Sequence, residues 1–226
     1  MNLQANSLIE AVLVNNQACC HVAAGNLDIA VQSFASAVAS MNAYIGSRRM
    51  EAIVNAPVAS VVPMRIPCSH EGASFFAYDC IFLLNPLGLF ISGAGTQCDS
   101  LFISAIYNLA FALHKSTTGK PRGESQAMND VAIQLLSICG NLIEEGGIHS
   151  ALAVALDTVA KNNIACYQIN YCNRVTEGVE LLRSLSSSVG ILYADPSIIL
   201  EDGLRRIATN IFMAQCFAGT VNAQAA

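Results

Sequence analysis

One pattern recurs three times along the chain and limits its fold more than any other feature. Asn16-Gln17-Ala18, Asn108-Leu109-Ala110 and Asn163-Ile164-Ala165 each set an asparagine two residues before a small residue. Each is followed by a second spaced set: Ala30, Phe34 and Ala37; Ala132, Leu136 and Cys139; Gly178, Leu182 and Leu185. In every set a small residue precedes a large apolar one by four positions, and a small or apolar one follows three later. Two antiparallel helices account for this order. The small residues let the backbones approach, the large residue fills the space beside them, and the last position meets the next hairpin.

The local signals agree with helices around one interruption. Asn6 or Ser7 caps a helix to about Ala24, Gly25-Asn26 stops it, and a second helix runs from Asp28 to Ala43. Residues 50–98 differ: they hold four of the six prolines and a run in which Phe76, Tyr78, Cys80 and Phe82 alternate with Phe75, Ala77, Asp79 and Ile81. This predicts a small β-hairpin insertion around residues 58–92. Its strands would be Ser60–Ile66 and the aromatic run, Ser69–Gly72 its turn, and Leu87–Ser92 a possible third strand; Pro63 puts the first strand at an edge. Helices are then expected from Asp99 or Ser100 to His114, from Gln126 to Glu144, from His149 to Ile169 and from Val175 to Ser187, with Ser116–Ser125 as a loop. Asp195 and Pro196 open a last, capping helix over 196–217, followed by a frayed tail. The expectation is a mainly α, single domain over 1–226, with repeat-like units at 7–43, 100–143 and 149–187.

Composition narrows the function classes. Hydrophobic residues make up 54% of the 226 and charged residues 12%, which excludes a disordered chain. No stretch supplies the 18 or so unbroken apolar residues of a membrane span, and residues 1–9 lack the basic start of a secretory signal. An intracellular protein, cytoplasmic or nuclear, is expected, with no membrane partner. A net charge of −5 with no basic cluster argues against nucleic acid. Nine scattered cysteines fit a reducing compartment and free thiols. So little charge on the surface points towards a partner.

The first unit fits a tetratricopeptide-type hairpin without gaps, although the usual tryptophan, proline and central tyrosine are absent. The second carries ten extra residues between its helices and the third one extra; the units lie 92 and 55 residues apart, against a regular period of about 34. The chain thus resembles divergent tetratricopeptide-repeat-like (TPR-like) proteins with insertions. The runs Phe76-Ala77-Tyr78-Asp79, Ile106-Tyr107-Asn108-Leu109-Ala110 and Asn162-Asn163-Ile164-Ala165 look like stand-alone TPR-like proteins from photosynthetic algae. An ordinary helical bundle with Ala/Leu periodicity is the alternative. The resemblance implies an α-α superhelix whose first helices line a concave groove. Carried over position by position, the groove residues are Asn15, Cys19 and Val22; Tyr107, Phe111, His114 and Lys115; and Asn162, Cys166, Ile169 and Asn170. With Lys115 the only cation among them, a grip on a terminal carboxylate is doubtful, and an apolar groove for a helix or extended peptide fits better. Burial of these positions by the capping helix or the hairpin is the competing reading.

Other chemistries find little support. Cys19-Cys20-His21 suggests a metal, but neighbouring cysteines on a helix diverge and no CxxC completes a zinc site. The four histidines have no triad context, and Gly93-Ala94-Gly95 lacks the rest of a phosphate loop. No catalytic residue, metal or cofactor is expected. The sequence therefore reads as a non-enzymatic scaffold or adaptor binding a protein or peptide in its groove. A self-associating homodimer is the alternative, and a small-ligand protein or enzyme a more distant one.

Overall fold

Ten elements are present among the described residues. In chain order they are α1 (Leu3–Ala23), α2 (Leu27–Arg48), β1 (Val61–Arg65), β2 (Cys80–Leu84), α3 (Gly95–Lys115), α4 (Arg122–Glu145), α5 (Ala151–Asn170), α6 (Val175–Ser184), α7 (Ser186–Ala194) and α8 (Glu201–Gln224). The structure, a computed structural model, describes residues 3–48, 61–66, 75, 77–85, 95–146, 150–194 and 199–224. The expected turn at Ser69–Gly72, the third strand at Leu87–Ser92 and the Asp195-Pro196 cap lie outside the described residues. The chain is mainly helical with one two-stranded antiparallel sheet among the described residues. None of the described helices is long and apolar enough to cross a membrane.

Helix ends follow capping chemistry. Gly25, at φ +78°, donates to Val22 O while Asn26 donates to His21 O, the paired bonds of a left-handed glycine stop. Ser150 caps α5 through the Ala153 amide, and Asn173, at φ +55°, follows its end. Some boundaries differ from expectation. α4 begins at Arg122, inside the stretch read as loop, because Pro121 directly precedes it and Glu124 lies in its first turn. The helix expected over 175–187 breaks at Leu185 and continues as α7. There the serine hydroxyls of Ser184 and Ser186 bond backward to Leu181 O and Arg183 O, competing with the helical ladder. The final helix is described from Glu201, with Glu201 and Asp202 in its first turn, and runs on to Gln224 where a frayed tail was expected.

The chain divides into two compact units, one of residues 1–66 with 80–121 and the other of residues 67–79 with 122–226. The two helices of the second expected hairpin, α3 and α4, therefore fall in different units.

In the first unit α2 packs on α1 and on α3, and β2 packs on α1 and α3. Leu8, Val12, Met41, Tyr44, Leu84 and Leu101 form one buried cluster there. The strand register sets Val61 opposite Leu84, Pro63 opposite Phe82 and Arg65 opposite Cys80. The Phe82 N–H and C=O point away from β1 (see below), so Pro63 sits at a pair that exchanges no hydrogen bonds, where its missing N–H costs nothing.

In the second unit α4 packs on α5, α5 on α6, and α6 and α7 on α8. Its core includes Leu136, Leu156, Val159, Leu182, Leu204 and Ile207. A β-carbon on Gly178 would stand 2.8 Å from Ala165 O and 2.6 Å from Ile169 Cγ1. This close approach of α6 to α5 is the packing that the small residues at 165 and 178 predict.

Candidate functional site

The recurrent asparagines act on the backbone of the chain itself, on strand β2 in the first unit and on Tyr78 in the second. In an extended residue the N–H and the C=O point the same way, so one carboxamide can accept from the first and donate to the second. In the first unit Asn108 does this to Phe82, with both bonds at 2.8 Å. Asn16 does it to Leu84, again with both at 2.8 Å. In the second unit Asn163 accepts from Tyr78 N at 2.6 Å and donates to Tyr78 O at 3.2 Å. Two turns further along α5, Asn170 donates to Phe75 O at 2.8 Å. The amides take the place that a neighbouring strand would fill.

Each clamp has its own support. Asn108 Nδ2 also donates to Asn15 Oδ1 at 3.1 Å and reaches Cys19 Sγ at 3.9 Å. In the second unit Asn210 of α8 repeats this, donating to Asn162 Oδ1 at 2.8 Å and reaching Cys166 Sγ at 3.5 Å. Two of the three clamping helices, α1 and α5, share a pentad, Asn-Asn-x-Ala-Cys, at 15–19 and at 162–166. Within it the second asparagine holds the extended chain, the first is held by a neighbouring helix, and the cysteine lies beneath.

Side chains of the clamped stretch are anchored too. Phe82 meets Tyr107 edge-on, ring centroids 5.2 Å apart. In the second unit the Tyr78 ring lies against the backbone of Gly203, where a β-carbon would collide with it. The next residue, Asp79, is 6% exposed at its side chain and takes a 2.9 Å ion pair from Arg206.

The residues expected to line the groove can now be placed. Asn15 and Cys19 are buried on the Phe82 carbonyl, at 3.4 and 3.7 Å. Tyr107 is buried beside Phe82, and Val22 and Phe111 are buried as well. His114 and Lys115 are half-buried in the last turn of α3, where positive charge suits the helix dipole. Asn162 and Cys166 are covered by Asn210, Ile169 packs on Gly178, and Asn170 holds Phe75. The burial that competed with an open groove is what is seen at most of these positions, and the covering element is in large part the aromatic run itself. Sequence reasoning took Asn16, Asn108 and Asn163 as marks of the repeat and did not assign them to the site; Gly203 and Arg206 had no signal of their own. The repeated asparagine beside a repeated pentad was the available clue.

Burial favours the protonated form of several thiols. Burial, and secondarily the neighbouring Cys20, push Cys19 up to about 12. Burial likewise raises Cys139 and Cys166. Carboxamides and protonated thiols supply neither base nor nucleophile at neutral pH; what they offer is a fixed set of donors and acceptors for main chain. Compared with protein-family models, curated proteins and solved structures, the chain matches none.

Proposed function

We propose that the protein is a non-enzymatic interaction scaffold of TPR-like hairpins that receives a partner's chain in extended form. Within one unit, such a partner takes the clamps now held by Phe82 and Leu84, or those now held by Phe75 and Tyr78. The observation that carries this reading is the carboxamide engaging both polar groups of a single backbone residue, used at Asn16, Asn108 and Asn163. Main-chain bonds provide affinity without fixing the sequence, as when a peptide adds to a sheet edge. Each contributes about 1 kcal/mol net, and several in a row make a usable site.

The test is a binding scan with extended peptides carrying single backbone N-methyl groups. Methylation at a clamped position removes the N–H and is expected to weaken binding about tenfold. Alanine at most side-chain positions should cost less. Peptides that tolerate N-methylation everywhere sink the proposal.

Self-association is the second reading, and α4 favours it. Met128, Val131, Leu135, Ile138 and Leu142 follow the three-four spacing of a coiled-coil seam, with Val131 and Ile138 exposed. Light scattering after size exclusion decides it: a stable dimer that Val131→Glu plus Ile138→Glu turns into a monomer supports it.

A further inference from the structure

The side chains of the clamped stretch say what kind of peptide the second unit takes. Phe75 and Tyr78 are 1% and 0% exposed. Their carbonyls are held by Asn170 and Asn163, and Asp79 is held by Arg206. Gly203 leaves room for the aromatic ring and for nothing larger on its own Cα. Every receptor group comes from α5 or α8, and every ligand group comes from residues 75–79. The contacts are of the kind that a receptor makes with a short linear peptide: main-chain clamps for affinity, with one aromatic slot and one charge for selectivity.

We propose that residues 75–79 are a displaceable internal ligand. The partner of this unit is an extended peptide of the form aromatic-x-x-Tyr-acid, whose acidic side chain takes Arg206. This rests on the scaffold reading above and adds to it a partner chemistry and a resident competitor. Asp202, 3.8 Å from Arg206 on its other side, keeps that guanidinium in place when Asp79 leaves.

The experiment uses the full chain and a fluorescein-labelled, C-terminally amidated peptide with the sequence of residues 72–79. Tyr78→Ala plus Asp79→Ala removes two of the resident side-chain anchors and leaves the receptor groups intact. This variant should bind the peptide at least about tenfold more tightly than the wild type, because its competitor keeps only the Phe75 ring and the main-chain bonds. On the same variant a peptide with Asn in place of the acid should bind about tenfold more weakly, the loss of one charged hydrogen bond. Adding Arg206→Met should erase the difference between the two peptides. Equal binding to wild type and variant overturns the displaceable ligand, and equal binding of acid and amide peptides overturns the chemistry. If the double variant does not fold, Asp79→Asn alone, which keeps the main-chain clamps, should still raise affinity measurably. Tight binding of scrambled peptides overturns this inference and leaves the main-chain reading standing, whereas no binding of any extended peptide overturns both. A variant that instead dimerises, exchanging its own segment between copies, also overturns a foreign partner.

Discussion

Asn108 is 0% exposed, and its carboxamide is used on both sides: Oδ1 takes the Phe82 N–H, and Nδ2 serves Phe82 O and Asn15 Oδ1. No other side chain of this size carries a donor and an acceptor in one plane. Asn108→Asp keeps the acceptor but turns the donor into a second acceptor aimed at two oxygens. In a buried place that mismatch costs about 3 kcal/mol. Asn16→Asp, at a half-buried site, makes the same exchange near water and costs about 1 kcal/mol. Urea unfolding with unchanged slope reads both values. Equal losses at the two positions would mean that the clamp geometry, and not burial, sets the cost.

Helix packing is governed by a few glycines, and they differ in kind. At Gly178 any β-carbon meets the Ala165 carbonyl and Ile169, so Gly178→Ala pushes α6 off α5 and costs about 2 kcal/mol. At Gly190, in α7, nothing lies within 4 Å, so Gly190→Ala only gains helix propensity, about 0.5–1 kcal/mol. Opposite shifts of the thermal midpoint check the pair. Gly178 was legible in the sequence because close approach needs a small residue at a fixed offset from Ala165, and the repeat displays that offset. The stop at Gly25 and the strand at 61–65 were legible for the same kind of local reason. α7 was not, since Ser184–Ser188 breaks a helix through side-chain bonds that no periodicity records. Nor were the clamps, because an asparagine two residues before an alanine looks the same whether it faces solvent or grips a distant backbone. The pairing of Asn163 with Tyr78, 85 residues away in sequence, is set by tertiary packing.

Among the described residues, sparse charge goes with five thiols placed where water is excluded, and this shapes how stability depends on pH. Cys19 is raised from an ordinary 9.0 to about 12 by burial, and Cys139 and Cys166 are raised further in the same direction. Above pH 9 the unfolded chain gives up these protons while the folded chain keeps them. The unfolded state then binds fewer protons, so stability falls as pH rises. The contribution of the thiols is complete well below pH 9 and is lost progressively as pH climbs towards 12. At pH 10 each has forfeited about 1 kcal/mol, so the three together remove about 3–4 kcal/mol, a large part of a typical domain's stability. Urea unfolding at pH 7.5, 9 and 10 should show a shallow first interval, a loss of about 1 kcal/mol, and a steep second one of about 3 kcal/mol. Cys166→Ala should be less stable at pH 7.5 yet lose about 1 kcal/mol less between pH 9 and 10, because one titrating thiol is gone. Any buried tyrosine that ionises late acts equally in both proteins, so the difference between them isolates the thiol. A variant that tracks the wild type across that interval would show that Cys166 is not held protonated by the fold.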